Sequence, residues 1–120
     1  MPDDAFWRDL IDKVRVMPAE TEWIEFKVNF SDPQKIGEYI SAISNSACLN
    51  GQEVGYIIWG IDNNTHEIVG TNFRPKNCKG KGNEDLEPWL LRGLSPAVEV
   101  IIREVDYPVG SVVIFQIAAT

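Results

Sequence analysis

Hydrophobic and polar positions along this chain follow two periods, and the switches between them mark its elements. Phe6, Leu10 and Val14 recur every four residues with Trp7 and Ile11 beside them. That is the stripe of an amphipathic helix, starting after Asp3 and Asp4 and ending near Pro18. From Trp23 the period becomes two. Ile24, Phe26 and Val28 fall on one side and Trp23, Glu25 and Lys27 on the other, as in a half-buried strand. Ser31-Asp32-Pro33 reads as a helix start with proline at the first helical position, and Ile36, Tyr39, Ile40, Ile43 and Ala47 carry an apolar face toward Gly51.

Residues 55–61 are apolar on both faces and rich in β-formers, which predicts a central strand covered on both sides and ending at Asp62. Asp62-Asn63-Asn64-Thr65 is a turn, from which residues 66–69 return as a short strand. Residues 74–83 hold no apolar run and read as a mobile loop. Leu86, Trp89, Leu90 and Leu94 suit a third helix, with Glu84 and Asp85 at its positive end. Residues 98–105 and 111–118 alternate as two strands joined through Tyr107-Pro108-Val109-Gly110. The order predicts an α+β fold with three helices on a single mixed sheet.

The 120 residues are the length of one domain, and 44% hydrophobic with 24% charged is an ordinary globular composition. Eleven basic against eighteen acidic residues give a charge of −7, so the surface as a whole is no trap for nucleic acid, and any polyanion contact has to be local. Cys48 and Cys78 are too few for a disulfide framework and lack zinc spacing, while a lone histidine, His66, leaves little for a histidine metal site or a Ser-His-Asp triad. Cys48 reads as a core thiol, Cys78 as an oxidisable loop thiol and His66 as solvent-facing. The acidic N-terminus is unlike a signal peptide and no stretch approaches a membrane span, so the expected location is cytoplasmic, without a membrane partner.

Gly80-Lys81-Gly82 does not complete a phosphate loop, because G-x-x-x-x-G-K-S/T needs a hydroxyl after the lysine for magnesium. Glu25 on its strand, Asp62 at the end of the neighbouring strand and Glu20 just before the first strand could converge. Carboxylates from different elements are what Mg²⁺ or Mn²⁺ takes, with Lys27 beside them to meet a developing phosphate charge. The plain alternative is a Glu25–Lys27 surface pair and an Asp62 turn cap. Arg74, Lys76, Lys79 and Lys81 put four cations within eight residues with no acid among them, a strip able to contact phosphates or simply a solvated loop. Trp7, Trp59 and Trp89 sit at core positions; Trp23 points to the face of Glu25.

Residues 20–27 (ETEWIEFK), 40–47 (ISAISNSA), 55–62 (GYIIWGID) and Ile68-Val69-Gly70 together resemble the Schlafen-type, Alba-like domain. The resemblance covers about residues 18–118, with residues 1–17 as an N-terminal helix, and it implies the Alba-like Schlafen-core arrangement. Bacterial proteins with this domain are described as transcriptional regulators with a DNA-binding N-terminal domain; older labels are divergent AAA, ATP-binding or helicase-related. Such members continue into further segments, which makes this chain the expected N-terminal domain of a longer regulator. In Schlafen ribonucleases three acids form the cleavage site, and Glu20, Glu25 and Asp62 match them. Asn63 replaces a frequent second aspartate. Residues 48–53 replace a short glycine pair.

Three functions follow as expectations. The first is a nucleic-acid-binding (DNA-binding) domain of a transcriptional regulator, touching phosphates through Lys27, Arg74, Lys76, Lys79 and Lys81. The second is a metal-dependent ribonuclease acting through Glu20, Glu25 and Asp62 with Mg²⁺ or Mn²⁺. The third is a homodimerisation or interaction module that leaves nucleic acid to downstream domains, a reading the −7 charge favours. A non-enzymatic role is favoured over catalysis, and no cofactor is required outside the second reading.

Overall fold

The computed structural model describes residues 4–16, 22–80, 84–93 and 98–119. Among these, helices α1 (Asp4–Arg15), α2 (Pro33–Leu49) and α3 (Leu86–Gly93) pack on strands β1 (Ile24–Lys27), β2 (Val54–Trp59), β3 (Val100–Tyr107) and β4 (Gly110–Ala118). The four strands form one sheet in the order β1-β2-β4-β3. β1 and β2 run parallel, and α2 supplies the crossover that a parallel pair requires. β4 lies antiparallel to both β2 and β3, closing a hairpin at Tyr107 and Gly110. This is the α+β fold with a single mixed sheet that the pattern predicts.

Both sheet faces are covered. Ile36, Ile40 and Ile43 of α2 and Leu86 and Leu90 of α3 bury one face together with Ile57, Trp59, Val113 and Phe115. Trp7, Ile11 and Val14 of α1 bury the other with Ile24, Phe26, Ile58 and Ile114. β2 and β4 are therefore apolar on both sides, whereas Glu25 and Lys27 of the edge strand β1 stay half-exposed on the α2 side. The Trp59 indole N–H donates to the Phe30 carbonyl at 2.6 Å, whereas the indole N–H of Trp7, buried on the other face, has no hydrogen-bond partner among the described residues. Ser44, buried in α2, donates to the Ala118 carbonyl at 2.6 Å and ties the end of β4 to the helix.

The start of α2 follows its local signals. Asp32 caps it, accepting from the backbone N–H of Gln34 at 3.0 Å and of Lys35 at 3.4 Å, and Pro33 occupies the first turn. Such a cap is worth about 1 kcal/mol.

Six expectations need correction. Residues 66–69 form no strand; a single bridge joins Ile61 to Ile68. His66 is half-buried rather than solvent-facing, with its ring 4.8 Å from that of Phe26. Cys48 is exposed, because the buried stripe of α2 runs through Ile43 and Ala47 and turns the next residue outward. Trp89 is half-buried on the core rim, and Trp23 packs partly against the α1-side cluster. The loop after residue 73 is anchored through its described part. Phe73 lies 4.6 Å from Trp59 between ring centroids, Pro75 is buried, and Pro75–Asn77 forms a 3-10 helix. Leu94 lies outside the described residues.

Candidate functional site

The acidic residues occupy separate environments. Glu25 projects from β1 toward Lys27, with the ammonium 3.4 Å from its carboxylate. The same ammonium donates to the Tyr39 hydroxyl at 3.0 Å and lies 4.5 Å from the Tyr39 ring centroid and 5.4 Å from that of Phe30. Burial works against the Lys27 charge, but the hydrogen bond to Tyr39 and the Glu25 carboxylate outweigh it and raise its pKa. Asp62 closes the turn after β2, accepting from the backbone N–H of Asn64 at 2.8 Å and of Thr65 at 2.9 Å. The N–H groups of Thr65 and Asn64 hold its carboxyl below the ordinary range.

Glu20 lies outside the described residues. Among those described, no group of three or more His, Cys, Asp or Glu side chains is gathered for a metal ion. The arrangement of Glu25 and Asp62 is that of a surface ion pair and a turn cap.

The basic segment is partly committed. The Arg74 guanidinium donates to the carbonyls of Thr71 at 2.8 Å and Phe73 at 2.9 Å, which fixes the start of the 3-10 helix. Lys79 pairs with Asp85 at the head of α3, both ends being well exposed. Lys76 is exposed with no hydrogen-bond or ion-pair partner among the described residues. Lys81 lies outside them. The exposed cations among the described residues of this segment are thus Lys76, on the 3-10 helix Pro75–Asn77, and Lys79, just after it in a bridge to Asp85.

Beside this segment α2 and α3 leave a groove of about 410 Å³, bordered by Gln34, Gly37, Glu38 and Ser41 on α2 and by Trp89 and Leu90 on α3. Gly80 joins the basic segment to it. A Cβ at residue 80 would stand 2.4 Å from Cγ and 2.6 Å from Cβ of Trp89, so the glycine backbone lies directly against the root of the indole. The polar face of α2 reads in the sequence as an ordinary solvated face. Its i, i+4, i+7 spacing at Gln34, Glu38 and Ser41 is visible there, but the wall that turns it into a groove comes from a helix about fifty residues later.

A family model described as Schlafen, AlbA_2 matches residues 20–120. The chain belongs to the Schlafen, AlbA_2 family. Among solved structures, this AlbA_2 domain is similar to the N-terminal domain of a RecG-related protein from Nitrosomonas europaea that carries an ATP-dependent DNA helicase label, determined by solution NMR. The TM-score is 0.59 at 18% identity, over 100% of this chain and 75% of the other. At that identity the likeness concerns the fold. No curated protein matches the chain. No helix among the described residues is long and apolar enough to cross a membrane.

Proposed function

We propose that this AlbA_2 domain binds nucleic acid as part of a transcriptional regulator, through phosphate contacts centred on Lys76 and Lys79. The observation that carries the reading is the anchored helix Pro75–Asn77, which presents Lys76 without a competing partner among the described residues. Family membership and the DNA-helicase label of the structural neighbour support the same class of ligand. With a chain charge of −7, two or three phosphate contacts give weak, salt-sensitive binding rather than a tight complex. Base contacts would then decide any preference.

The test is the salt dependence of oligonucleotide affinity. Changing Lys76 and Lys79 together to alanine should lower the slope of log K against log salt by roughly one to two, since each phosphate contact contributes roughly 0.7 to 0.9. An unchanged slope removes this segment from the interface.

The ribonuclease alternative depends on Glu20, Glu25 and Asp62. Glu25 faces Lys27 and Asp62 serves its turn, so no observation among the described residues favours it over binding.

A further inference from the structure

The groove between α2 and α3 has one aromatic wall and one polar wall. Trp89 and Leu90 form the first, and Gln34, Glu38 and Ser41 the second, with Gly37 between them, where a Cβ would stand 3.7 Å from a Leu90 methyl in ordinary van der Waals contact. The basic segment adjoins it through Gly80, whose backbone lies against the Trp89 indole. We infer that this groove is a stacking subsite for one amino-bearing base, adenine, cytosine or guanine, of a single strand whose phosphates run along Lys76 and Lys79. The inference rests on the nucleic-acid reading and deepens it.

Geometry selects a single strand. A duplex keeps its bases stacked and paired inside, so a base reaches a hollow between two helices only when it is unpaired. An indole is a platform for any such base, because every base has a π-face. Trp89 is held in place there: the Gly80 backbone packs against its Cβ, Cγ and Cδ2, and the residue lines the groove.

The polar wall supplies the preference. Gln34 donates through Nε2 to a Glu38 carboxylate oxygen at 3.4 Å, which orients the amide oxygen away from that contact. The Glu38 carboxylate, the Gln34 amide oxygen and the Ser41 hydroxyl give a rim in which acceptors outnumber donors. The amines at C4 of cytosine and C6 of adenine donate to such groups, as does the C2 amine of guanine, whereas uracil and thymine carry no exocyclic amine. Glu38 also repels phosphate, so the backbone is confined to the lysine side and the base to the groove. Lys35, 3.6 Å from Glu38, tempers that charge without filling the groove.

The experiment follows the four indole N–H signals of ¹⁵N-labelled protein while short oligocytidylate, oligoadenylate and oligouridylate strands are added. The Trp89 signal should move saturably with the cytidine and adenosine strands, and the uridine strand should bind about three- to tenfold more weakly. Trp89→Leu should weaken all three strands by roughly tenfold. Glu38→Gln should reduce the preference for cytidine over uridine. Glu38 is exposed on α2, so this second variant stands even if Trp89→Leu unfolds. Strands that bind with an unmoved Trp89 signal and no base preference overturn the inference and leave the phosphate reading standing. A complete lack of strand binding overturns both. A Trp89 signal that answers an arginine-rich peptide and not the strands makes the groove a peptide site and overturns the inference as well.

Discussion

Arg15 and His66, 51 positions apart, hold each other's backbone. The Arg15 Nε donates to the His66 carbonyl at 2.8 Å, and the His66 Nδ1 lies 3.1 Å from the Arg15 carbonyl. A carbonyl only accepts, so Nδ1 carries the proton. The pair satisfies a carbonyl at the frayed end of α1 and fastens the helix to the turn after β2. His66 adopts a φ of 60°, in the left-handed region, which histidine tolerates better than β-branched residues do.

His66→Ala removes the donor to Arg15 and the edge contact with Phe26, and should cost about 1–3 kcal/mol in denaturant unfolding. The loss should appear first as faster amide exchange in the last turn of α1. His66→Asn retains a donor and tolerates the backbone, so it should cost less. Equal losses for the two variants would count against the hydrogen bond as the cause.

Asp62 gives the fold an acid-side sensitivity. Its folded-state pKa is depressed by the N–H groups of Thr65 and Asn64, so its contribution is fully present above the ordinary carboxylate range and lost as pH falls through the lowered value. Asp62→Asn keeps an acceptor oxygen but loses the charge. It should lower stability at neutral pH and flatten the fall in melting temperature as pH drops below the ordinary carboxylate range. An unchanged acid limb would assign that fall to other carboxylates.

Gly55 in β2 has no room for a side chain. A Cβ there would lie 2.4 Å from a methyl of Ile43 and 2.7 Å from the Trp23 carbonyl oxygen. That carbonyl is fixed by accepting from the Tyr56 N–H at 2.8 Å. Gly55→Ala should therefore destabilise the protein by about 1–3 kcal/mol. Adding Ile43→Ala should not restore stability, because the backbone clash remains and a cavity is created. Recovery in the double variant would locate the strain in the side chain alone.

Elements whose signals are local could be read from the sequence. Asp32-Pro33 announces α2, and Asp62-Asn63-Asn64 announces its turn, because cap and turn chemistry act within four residues. Family membership was legible for a related reason: the motifs from Glu20 to Lys27 and from Gly55 to Asp62 are contiguous. What depends on distant packing was not. Cys48 follows Ala47 by about 100° around the helix, enough to leave the core side, and where the stripe ends depends on the sheet beneath it. The segment after residue 73 lacks periodicity, yet Phe73 on Trp59, buried Pro75 and the Arg74 hydrogen bonds to the Thr71 and Phe73 carbonyls fix it through contacts that no period announces. The groove is invisible in either helix alone. Its polar wall and Trp89 meet only after β2 and the loop have folded between them.

Lys27 separates a structural cation from a binding one. Its ammonium is met by Tyr39 at 3.0 Å and Glu25 at 3.4 Å, over the rings of Tyr39 and Phe30. These contacts raise its pKa despite burial, so their stabilisation is complete below the ordinary lysine value of 10.5 and lost as pH rises through the higher folded-state value. Lys27→Met keeps the aliphatic stem and removes the charge; it should cost no more than about 1 kcal/mol at neutral pH and flatten the alkaline limb of the stability profile. It should leave the salt slope of nucleic-acid binding unchanged, because a phosphate would have to displace both Tyr39 and Glu25. Lys76→Ala should do the opposite, lowering the slope by roughly 0.7 to 0.9 with little change in stability. A slope that drops equally in both variants would place Lys27 in contact with phosphate and extend the interface from the loop onto the sheet edge.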